Sequence, residues 1–201
     1  DLAAACRKRG MKLGVYLSPW DKQFGAHIGG RCATSEAQEA YTKVFRRQLT
    51  ELLTRYGEMF EIWFDGSLVF DVGDLLQRHA PHAMIFQGKY ATIRWVGNEH
   101  GHAPYPAWNS VLEAEARSGT ATAVHGNPKG NVWLPLECDA RIRRDWFWRS
   151  DNISTLKTLD QLMEMYEMSV GRGAVLLLNH TPDTTGLIPE MDALEQLLDE
   201  N

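Results

Sequence analysis

The stretch FEIWFDG, residues 60–66, places a carboxylate directly after an apolar run. Its apolar and aromatic residues predict a buried strand, and Asp65 with Gly66 predicts the turn that ends it. Glycine beside the carboxylate allows a ligand or a neighbouring backbone to approach closely. In parallel α/β folds the C-terminal ends of strands carry the functional side chains. Asp65 is therefore a candidate catalytic residue, with a helix N-cap or a structural ion pair as the alternative.

A strand and a helix are predicted before this stretch. Residues 12–18 form a short apolar run, which is typical of a buried strand. Apolar residues at steps of three and four predict a helix over residues 35–56. Ser35 and Gln38 have the spacing of a capping box, and Gly57 is placed to end the helix. The order of strand, helix and strand is the repeating unit of a parallel α/β fold.

The alternation continues on both sides of this unit. Before it, residues 1–9 predict the end of an alanine-rich helix capped by Gly10, and we expect the chain to be a fragment of a larger protein. The elements predicted after it are a helix over residues 71–79, strands over 83–86 and 92–96, a long loop over 100–131, a strand-like segment over 133–137, a helix over 154–169, a fully buried strand over 174–178, a turn over 181–186 and a last helix from Pro189 to Asn201.

This order predicts a mainly parallel sheet with crossover helices. A barrel is favoured over a doubly wound sheet because polar side chains follow every strand and no glycine-rich nucleotide motif is present. The strand ends in question are Trp20-Asp21, Asp65-Gly66, Gly97-Asn98-Glu99, Glu137-Cys138-Asp139 and Asn179-His180. A complete barrel needs about 250 residues, and only about five strands are predicted. We therefore predict a partial (β/α)8 TIM-like barrel with the later strands only, a single partial catalytic domain over residues 1–201 whose N-terminal strands are missing.

Composition argues against several other classes of function. The chain has 21 basic and 26 acidic residues, a formal charge of −5, and no dense basic stretch, so we expect no nucleic-acid partner. No apolar run approaches the roughly 20 residues that a membrane span needs, so we expect no membrane partner. Three separated cysteines, and histidines at positions 100, 102 and 125 without ligand spacing, predict neither a disulfide framework nor a metal site.

A second carboxylate follows a later predicted strand. Glu99 lies between glycines, 34 residues beyond Asp65, a spacing that leaves room for a helix and a strand between them. Glycoside cleavage by retention uses two such groups about 5 to 5.5 Å apart, one as nucleophile and one as acid and then base. A solvated loop glutamate is the alternative for Glu99.

Tryptophans could supply the apolar surface of a sugar site, because their rings stack on the C–H face of a pyranose. The candidates are Trp20, Trp63, Trp95, Trp108, Trp146 and Trp148. Trp63 and Trp95 are the strongest of them, because each shortly precedes a candidate carboxylate. Arg94 could orient Glu99 or bind a sugar hydroxyl, with a surface ion pair as the alternative.

The motifs together resemble a known family over nearly the whole chain. The matching segments, in order, are GVYLSPWD at residues 14–21, QLTELL at 48–53, IWFDG at 62–66, RWVGNE at 94–99, ECD at 137–139 and GAVLLLN at 173–179. They are similar to glycoside hydrolase family 29, the alpha-L-fucosidases. The version with RWVGNE resembles the branch that prefers branched alpha-1,3/1,4-fucosides.

This resemblance implies a retaining hydrolase that releases terminal alpha-L-fucose through a covalent fucosyl-enzyme, without metal or organic cofactor. By motif it assigns the nucleophile to Asp65 and the acid/base to Glu99. It also implies that Tyr16, Trp63 and Arg94 contact fucose, and Trp20 and Trp95 complete the predicted substrate-binding set. The implied partner is a fucosylated glycan or oligosaccharide, and the implied location is secreted, periplasmic or lysosomal.

Two alternatives remain open at this stage. The chain could be a non-catalytic sugar-binding or inactive fragment of such a barrel, because the early strands of the family, with a histidine pair that binds fucose hydroxyls, are absent from it. It could also belong to another barrel hydrolase that acts on hexosides. Residues 25–34 and 114–126 match nothing in the family pattern, so the sequence does not define the aglycone.

Overall fold

The computed structural model describes residues 1–116 and 124–188. The chain divides into two units, one of Asp1–Trp95 with Trp108–Pro135 and one of Val96–Ala107 with the chain from Leu136 onward. The helix predicted from Pro189 to Asn201 lies outside the described residues. The described part is a mixed α/β structure.

The first unit contains most of the regular elements. Its helices and strands are α1 Leu2–Lys8, β1 Leu13–Tyr16, α2 Ser35–Arg55, β2 Met59–Trp63, α3 Gly73–His79, β3 Met84–Phe86, β4 Arg94–Trp95, β5 Ser110–Val111, α4 Glu113–Ala116 and β6 Val132–Trp133. In the second unit the described helix and strands are β7 Leu136–Arg141, α5 Leu159–Ser169 and β8 Val175–Asn179.

A parallel sheet in the order β1-β2-β3 organises the first unit. The period of α2 brings Tyr41, Phe45 and Leu49 onto one buried face, four residues apart, as its sequence pattern predicts. These side chains form a core with Ile62 of β2 and with α3. Because side chains alternate along a strand, the residues on either side of Ile62 point to the opposite face of the sheet.

Strand β1 is less buried than its apolar sequence predicts. Gly14 and Tyr16 are exposed, and Leu13 and Val15 are only partly buried. Among the described residues, β1 pairs with β2 alone, so one of its edges carries no partner strand. The prediction of a buried strand was wrong for this reason.

Helix α2 begins at Ser35, as predicted, but the predicted capping box is not formed. The N-cap of α2 is Thr34, whose side chain accepts from the Ala37 amide, and not Ser35. Gln38 instead bonds the preceding loop, where it accepts from Cys32 N and donates to Gly30 O. Because the oxygen and the nitrogen of the Gln38 side chain both bond this loop, Gln38 does not form a capping box with Ser35.

Helix α5 is shorter than the predicted helix over residues 154–169. It begins at Leu159 after a complete capping box, in which Thr158 and Gln161 each accept a hydrogen bond from the other's amide. The preceding Ile153–Thr155 forms a separate 3-10 turn. The capping box at Thr158 therefore determines where the helix begins, although the apolar period extends further toward the N-terminus.

Strand β5 lies in the long loop predicted over residues 100–131 and forms a small hairpin with β6, which follows that loop. Strand β5 pairs antiparallel with β6, with Ser110 opposite Trp133 and Val111 opposite Val132. The single strand predicted over residues 133–137 is two strands, β6 and β7, separated at Pro135, which has no amide hydrogen for a ladder. Strands of two residues are too short to show a period in the sequence.

In the second unit β7 pairs in parallel with β8. The first five residues of β7 are all buried, whereas those of β8 are partly or fully exposed. The expectation that β8 is fully buried was wrong, and among the described residues it has a neighbouring strand on one side only. No helix in the described ranges is both long and apolar enough to cross a membrane.

Candidate active site

Asp65 lies immediately beyond the C-terminal end of β2 and is exposed. The Tyr16 hydroxyl donates a hydrogen bond of 2.7 Å to its Oδ2 atom. The parallel register explains this contact, because it sets Tyr16, the last residue of β1, opposite Trp63. A strand-end tyrosine is thereby brought to a strand-end carboxylate.

The environment of Tyr16 keeps its hydroxyl protonated. Partial burial, together with the hydrogen bond to Asp65 and the charge of that carboxylate, raises the pKa of Tyr16 to about 12. The hydroxyl is thus a hydrogen-bond donor at any physiological pH. It can stabilise negative charge on one oxygen of Asp65 without taking that charge itself.

An aromatic surface lies beside the carboxylate. The Tyr16 and Trp63 rings are stacked with centroids 6.0 Å apart, and Trp63 and Phe86 are stacked at 3.6 Å with an angle of 3° between their planes. Such a surface suits the C–H face of a sugar. Phe86, the register partner of Trp63 at the end of β3, is fully buried and supports the Trp63 ring rather than facing a ligand, a role that the sequence analysis missed.

The turn after Asp65 is closely packed on one side. Gly66 has a φ of +77°, and a Cβ atom there would lie 2.8 Å from Ile28 Cγ2. The sequence predicted that this glycine admits a ligand or a neighbouring backbone, whereas the group that approaches it closely is the Ile28 side chain. On the other side, the Gly66 amide donates to Gln87 Oε1 at 2.8 Å.

Trp20 and Trp95 occupy different environments. Trp20 follows β1, is 56% exposed and is accessible to a ligand. Trp95 is partly buried at the end of β4. Their predicted substrate contacts stay predictions.

Arg94 is buried rather than paired on the surface, with 4% of its area exposed. Its guanidinium donates to the carbonyls of Trp108 and Leu134, so it ties β4 to the residues that flank the hairpin. Burial lowers the pKa of Arg94 to about 10, and the charge of Glu115 partly opposes this change. The surface ion pair was the wrong alternative, and a contact between Arg94 and fucose stays a prediction.

Glu99 lies in the second unit, where two side chains hold one of its oxygens. The Trp146 indole donates from Nε1 to Glu99 Oε2 at 3.1 Å, and Arg141 Nη2 lies 3.5 Å from the same oxygen. The Arg141 guanidinium also lies over the Trp146 ring, 5.4 Å from its centroid. Asn179 Nδ2 donates to the Trp146 carbonyl at 2.7 Å. Glu99 is therefore oriented, not a freely solvated loop glutamate.

The loop that carries Glu99 is shaped by the residue before it. Asn98 Oδ1 accepts from the His100 amide, and its Nδ2 donates to the His102 carbonyl, both at 3.0 Å. These bonds form an Asx turn that presents Glu99 at the loop tip. Within residues 1–116 and 124–188, no group of three or more His, Cys, Asp or Glu side chains is placed to hold a metal ion.

Arg141 was missed by the sequence analysis, which also left Trp146 and Asn179 out of its site. The predicted strand stopped at Glu137, whereas β7 continues to Arg141, whose register partner is Asn179 at the end of β8. With the correct strand boundary, Arg141 would have been recognised as a strand-end side chain, as Asn179 was. Asp65 and Glu99 lie in different units, and their separation stays a prediction.

The chain matches proteins of known activity in sequence. The profile of the family described as Alpha-L-fucosidase matches residues 1–199. Alpha-L-fucosidase 1 of Arabidopsis thaliana is 35% identical over 205 residues, which cover 96% of this chain and 38% of the plant protein. The chain thus spans well under half the length of this relative.

Solved structures show the same similarity. A fucosidase variant of glycoside hydrolase family 29 from Ruminococcus gnavus, in complex with fucose, has 29% identity and a TM-score of 0.81 over 97% of this chain and 45% of its own. A family 29 member from an unknown rumen bacterium has 33% identity and a TM-score of 0.78 over 94% of this chain and 36% of its own.

Proposed function

The chain belongs to the alpha-L-fucosidase family, and we propose that it is the part of a retaining fucosidase that carries both catalytic carboxylates. The observation that carries this proposal is the Asp65 carboxylate, which is held by Tyr16 at the end of β2 beside an aromatic surface. Cleavage with retention needs a nucleophile fixed in this way, and the family supplies the substrate, a terminal alpha-L-fucose on a glycan or oligosaccharide.

In the first step Asp65 attacks the anomeric carbon of fucose. Because Tyr16 donates to Oδ2, we assign the attack to Oδ1. Glu99 protonates the leaving glycosidic oxygen, so that one C–O bond forms as the other breaks. The products of this step are the released aglycone and a fucosyl ester on Asp65.

In the second step Glu99, now a carboxylate, removes a proton from water, and the water oxygen displaces Asp65 from the anomeric carbon. Trp146 and Arg141 hold Oε2 of Glu99, which leaves Oε1 to exchange the proton. Two inversions restore the α configuration of fucose. The stacked Tyr16 and Trp63 rings offer an apolar surface to the sugar throughout, and the buried Phe86 ring supports Trp63 from behind.

The parallel strands fit the later part of a (β/α)8 barrel. The chain spans 38% of the length of its plant relative, and β1 has a free edge with exposed residues among those described. In this proposal the early strands, with the histidine pair that the resemblance implies, come from the rest of the full-length protein and pair with that edge.

The nucleophile is tested with the full-length protein and an aryl alpha-L-fucoside. Asp65→Gly is expected to lower kcat by about three orders of magnitude or more. Added azide should restore turnover of the variant and yield β-L-fucosyl azide, because azide fills the space of the missing carboxylate. Asp74→Asn, which breaks only the surface ion pair with Arg46, is the control and should keep wild-type activity.

Three outcomes would contradict the proposal. Undiminished turnover by Asp65→Gly would exclude Asp65 as nucleophile. Proton NMR of the wild-type reaction should show α-L-fucose as the first product, and β-L-fucose appearing first would exclude a retaining mechanism. Aryl galactosides hydrolysed in preference to fucosides would point to a different hexosidase.

A further inference from the structure

The turn that follows Asp65 depends on a side chain from the next strand. Gln87 comes directly after β3 and is 7% exposed. Its Oε1 atom accepts the amide hydrogen of Gly66 at 2.8 Å. Gly66 is bonded in sequence to Asp65, so this contact acts one residue from the proposed nucleophile.

Both sides of this contact have an unusual backbone. Ser67 and Gln87 have φ values of +69° and +63°, and they are the two non-glycine residues with positive φ among those described. Residues with a side chain adopt this region rarely, and they stay there only where the surroundings hold them. The surroundings of Gln87 therefore hold it in the left-handed conformation. In this conformation its side chain reaches the turn that follows β2.

Packing restrains the Asp65–Ser67 turn from the loop after β1. Ile28 and Gly29 press against Gly66 from the loop after β1. On another side a cavity of about 260 Å³ is lined by Phe64 and Leu68, which flank the turn, and by Gln87 itself. The turn is closed by the Ser67 amide, which donates to the Phe64 carbonyl at 3.1 Å, and the hydrogen bond from Gly66 to Gln87 ties it to the end of β3.

We propose that Gln87 is a positioning residue that sets the direction of the Asp65 carboxylate by holding the Gly66 amide. This role rests on the proposed function, in which Asp65 attacks the anomeric carbon. An amide suits it better than a carboxylate would, because a second negative charge beside Asp65 would oppose ionisation of the nucleophile. Misdirection of a nucleophile by about 1 Å lowers the rate by about 100-fold, so a single hydrogen bond can matter here.

The test uses the full-length protein, an aryl alpha-L-fucoside and the variant Gln87→Met, which has a similar volume but no acceptor oxygen. We expect kcat to fall by about 10- to 100-fold with KM changed less than about twofold, because sugar binding is retained and attack is misdirected. Thermal unfolding and circular dichroism first give the folded fraction of each variant, and kcat is then calculated per folded molecule.

A second variant separates positioning from folding. Gln87→Gly also removes the acceptor, and because glycine adopts a positive φ without strain, the relief of strain offsets part of the packing lost with this buried side chain. Its kcat should fall as in Gln87→Met. The matched control is Gln161→Met, which loses a glutamine-to-backbone hydrogen bond at the start of α5 and should lower the melting temperature without changing kcat.

The outcomes distinguish the two proposals. A wild-type protein that does not hydrolyse fucosides overturns the proposed function and this role with it. An active wild type together with a Gln87→Gly variant that keeps wild-type kcat overturns only the role of Gln87. An equal fall in kcat for Gln161→Met would show that the loss reflects general destabilisation and would also overturn it.

Discussion

At the scale of single residues, Tyr16 is the side chain most directly joined to the proposed nucleophile. Tyr16→Phe removes the donor but keeps the ring on Trp63, so we expect kcat to fall by about 10- to 100-fold with folding unchanged. Steady-state kinetics on an aryl fucoside measure this. Tyr90→Phe removes a similar tyrosine–aspartate bond, to Asp71, and serves as control. Equal rates for both variants would argue against the role of Tyr16.

Trp146 makes the corresponding contact with the proposed acid/base. Trp146→Phe should lower kcat/KM about 10-fold for fucosides with a poor leaving group, because Glu99 then loses its orienting donor. Dinitrophenyl fucoside, whose leaving group needs no proton, should be affected much less. The neighbouring Phe147 is largely exposed, so Phe147→Leu is the control. A loss that is independent of the leaving group would contradict this assignment.

At the scale of elements, Tyr41 joins α2 to the loop after β1. It is 1% exposed, and its hydroxyl donates to the Pro19 carbonyl at 2.6 Å. Tyr41→Phe leaves that carbonyl without its donor and should cost about 1 kcal/mol of unfolding free energy at pH 7. Urea unfolding measures it, with Tyr56→Phe at the exposed end of α2 as a control expected to change stability little.

The same tyrosine, Tyr41, should make the stability of the fold sensitive to alkaline pH. Burial first, and then the charges of Asp21 and Cys32, raise the pKa of Tyr41 from 10.0 to about 12 in the folded state. The contribution of Tyr41 to stability is complete below the pKa that it has in the unfolded state. It is lost as pH rises through the pKa of the folded state. Wild-type stability should therefore fall between pH 10 and about 12, and less so in Tyr41→Phe. Parallel pH profiles for both proteins would contradict this.

The capping box defines the start of α5. Thr158→Ala should cost about 1 kcal/mol, because it removes the acceptor for the Gln161 amide, and Thr158→Ser should restore most of it. Ser154→Ala, at the start that the apolar period predicts, should change stability by less than about 0.5 kcal/mol. The reverse order in thermal or urea unfolding would mean that the helix begins earlier.

At the scale of the whole molecule, the chain spans 38% of the length of its plant relative. The proposed barrel then lacks its early strands, and open strand edges favour association. We expect the isolated 201-residue chain to show no fucoside hydrolysis, and activity to require the remaining strands. Assays of the isolated chain, the full-length protein and the co-expressed parts measure this. Robust activity of the isolated chain would contradict it.

The α/β class and the existence of most elements were predictable from the sequence alone. Apolar periods and turn residues are local signals, so the patterns of α2 and β2 and the turn at Gly66 could be read from neighbouring residues. They also set Asp65 at a strand end. Element boundaries were predicted less accurately, as the start of α5 and the end of β7 show. Capping and strand pairing depend on contacts that the apolar period of a sequence does not contain.

The side chains that surround each carboxylate could be identified only in the folded chain. Tyr16 and Asp65 are 49 residues apart in sequence, Trp146 and Glu99 are 47 apart, and Gln87 and Gly66 are 21 apart. Such contacts follow from the register of parallel strands, which is set by how strands and helices pack and not by local pattern. The burial of Arg94 could not be predicted from local pattern either. The two carbonyls that accept hydrogen bonds from its guanidinium belong to Trp108 and Leu134, which are distant from it in sequence.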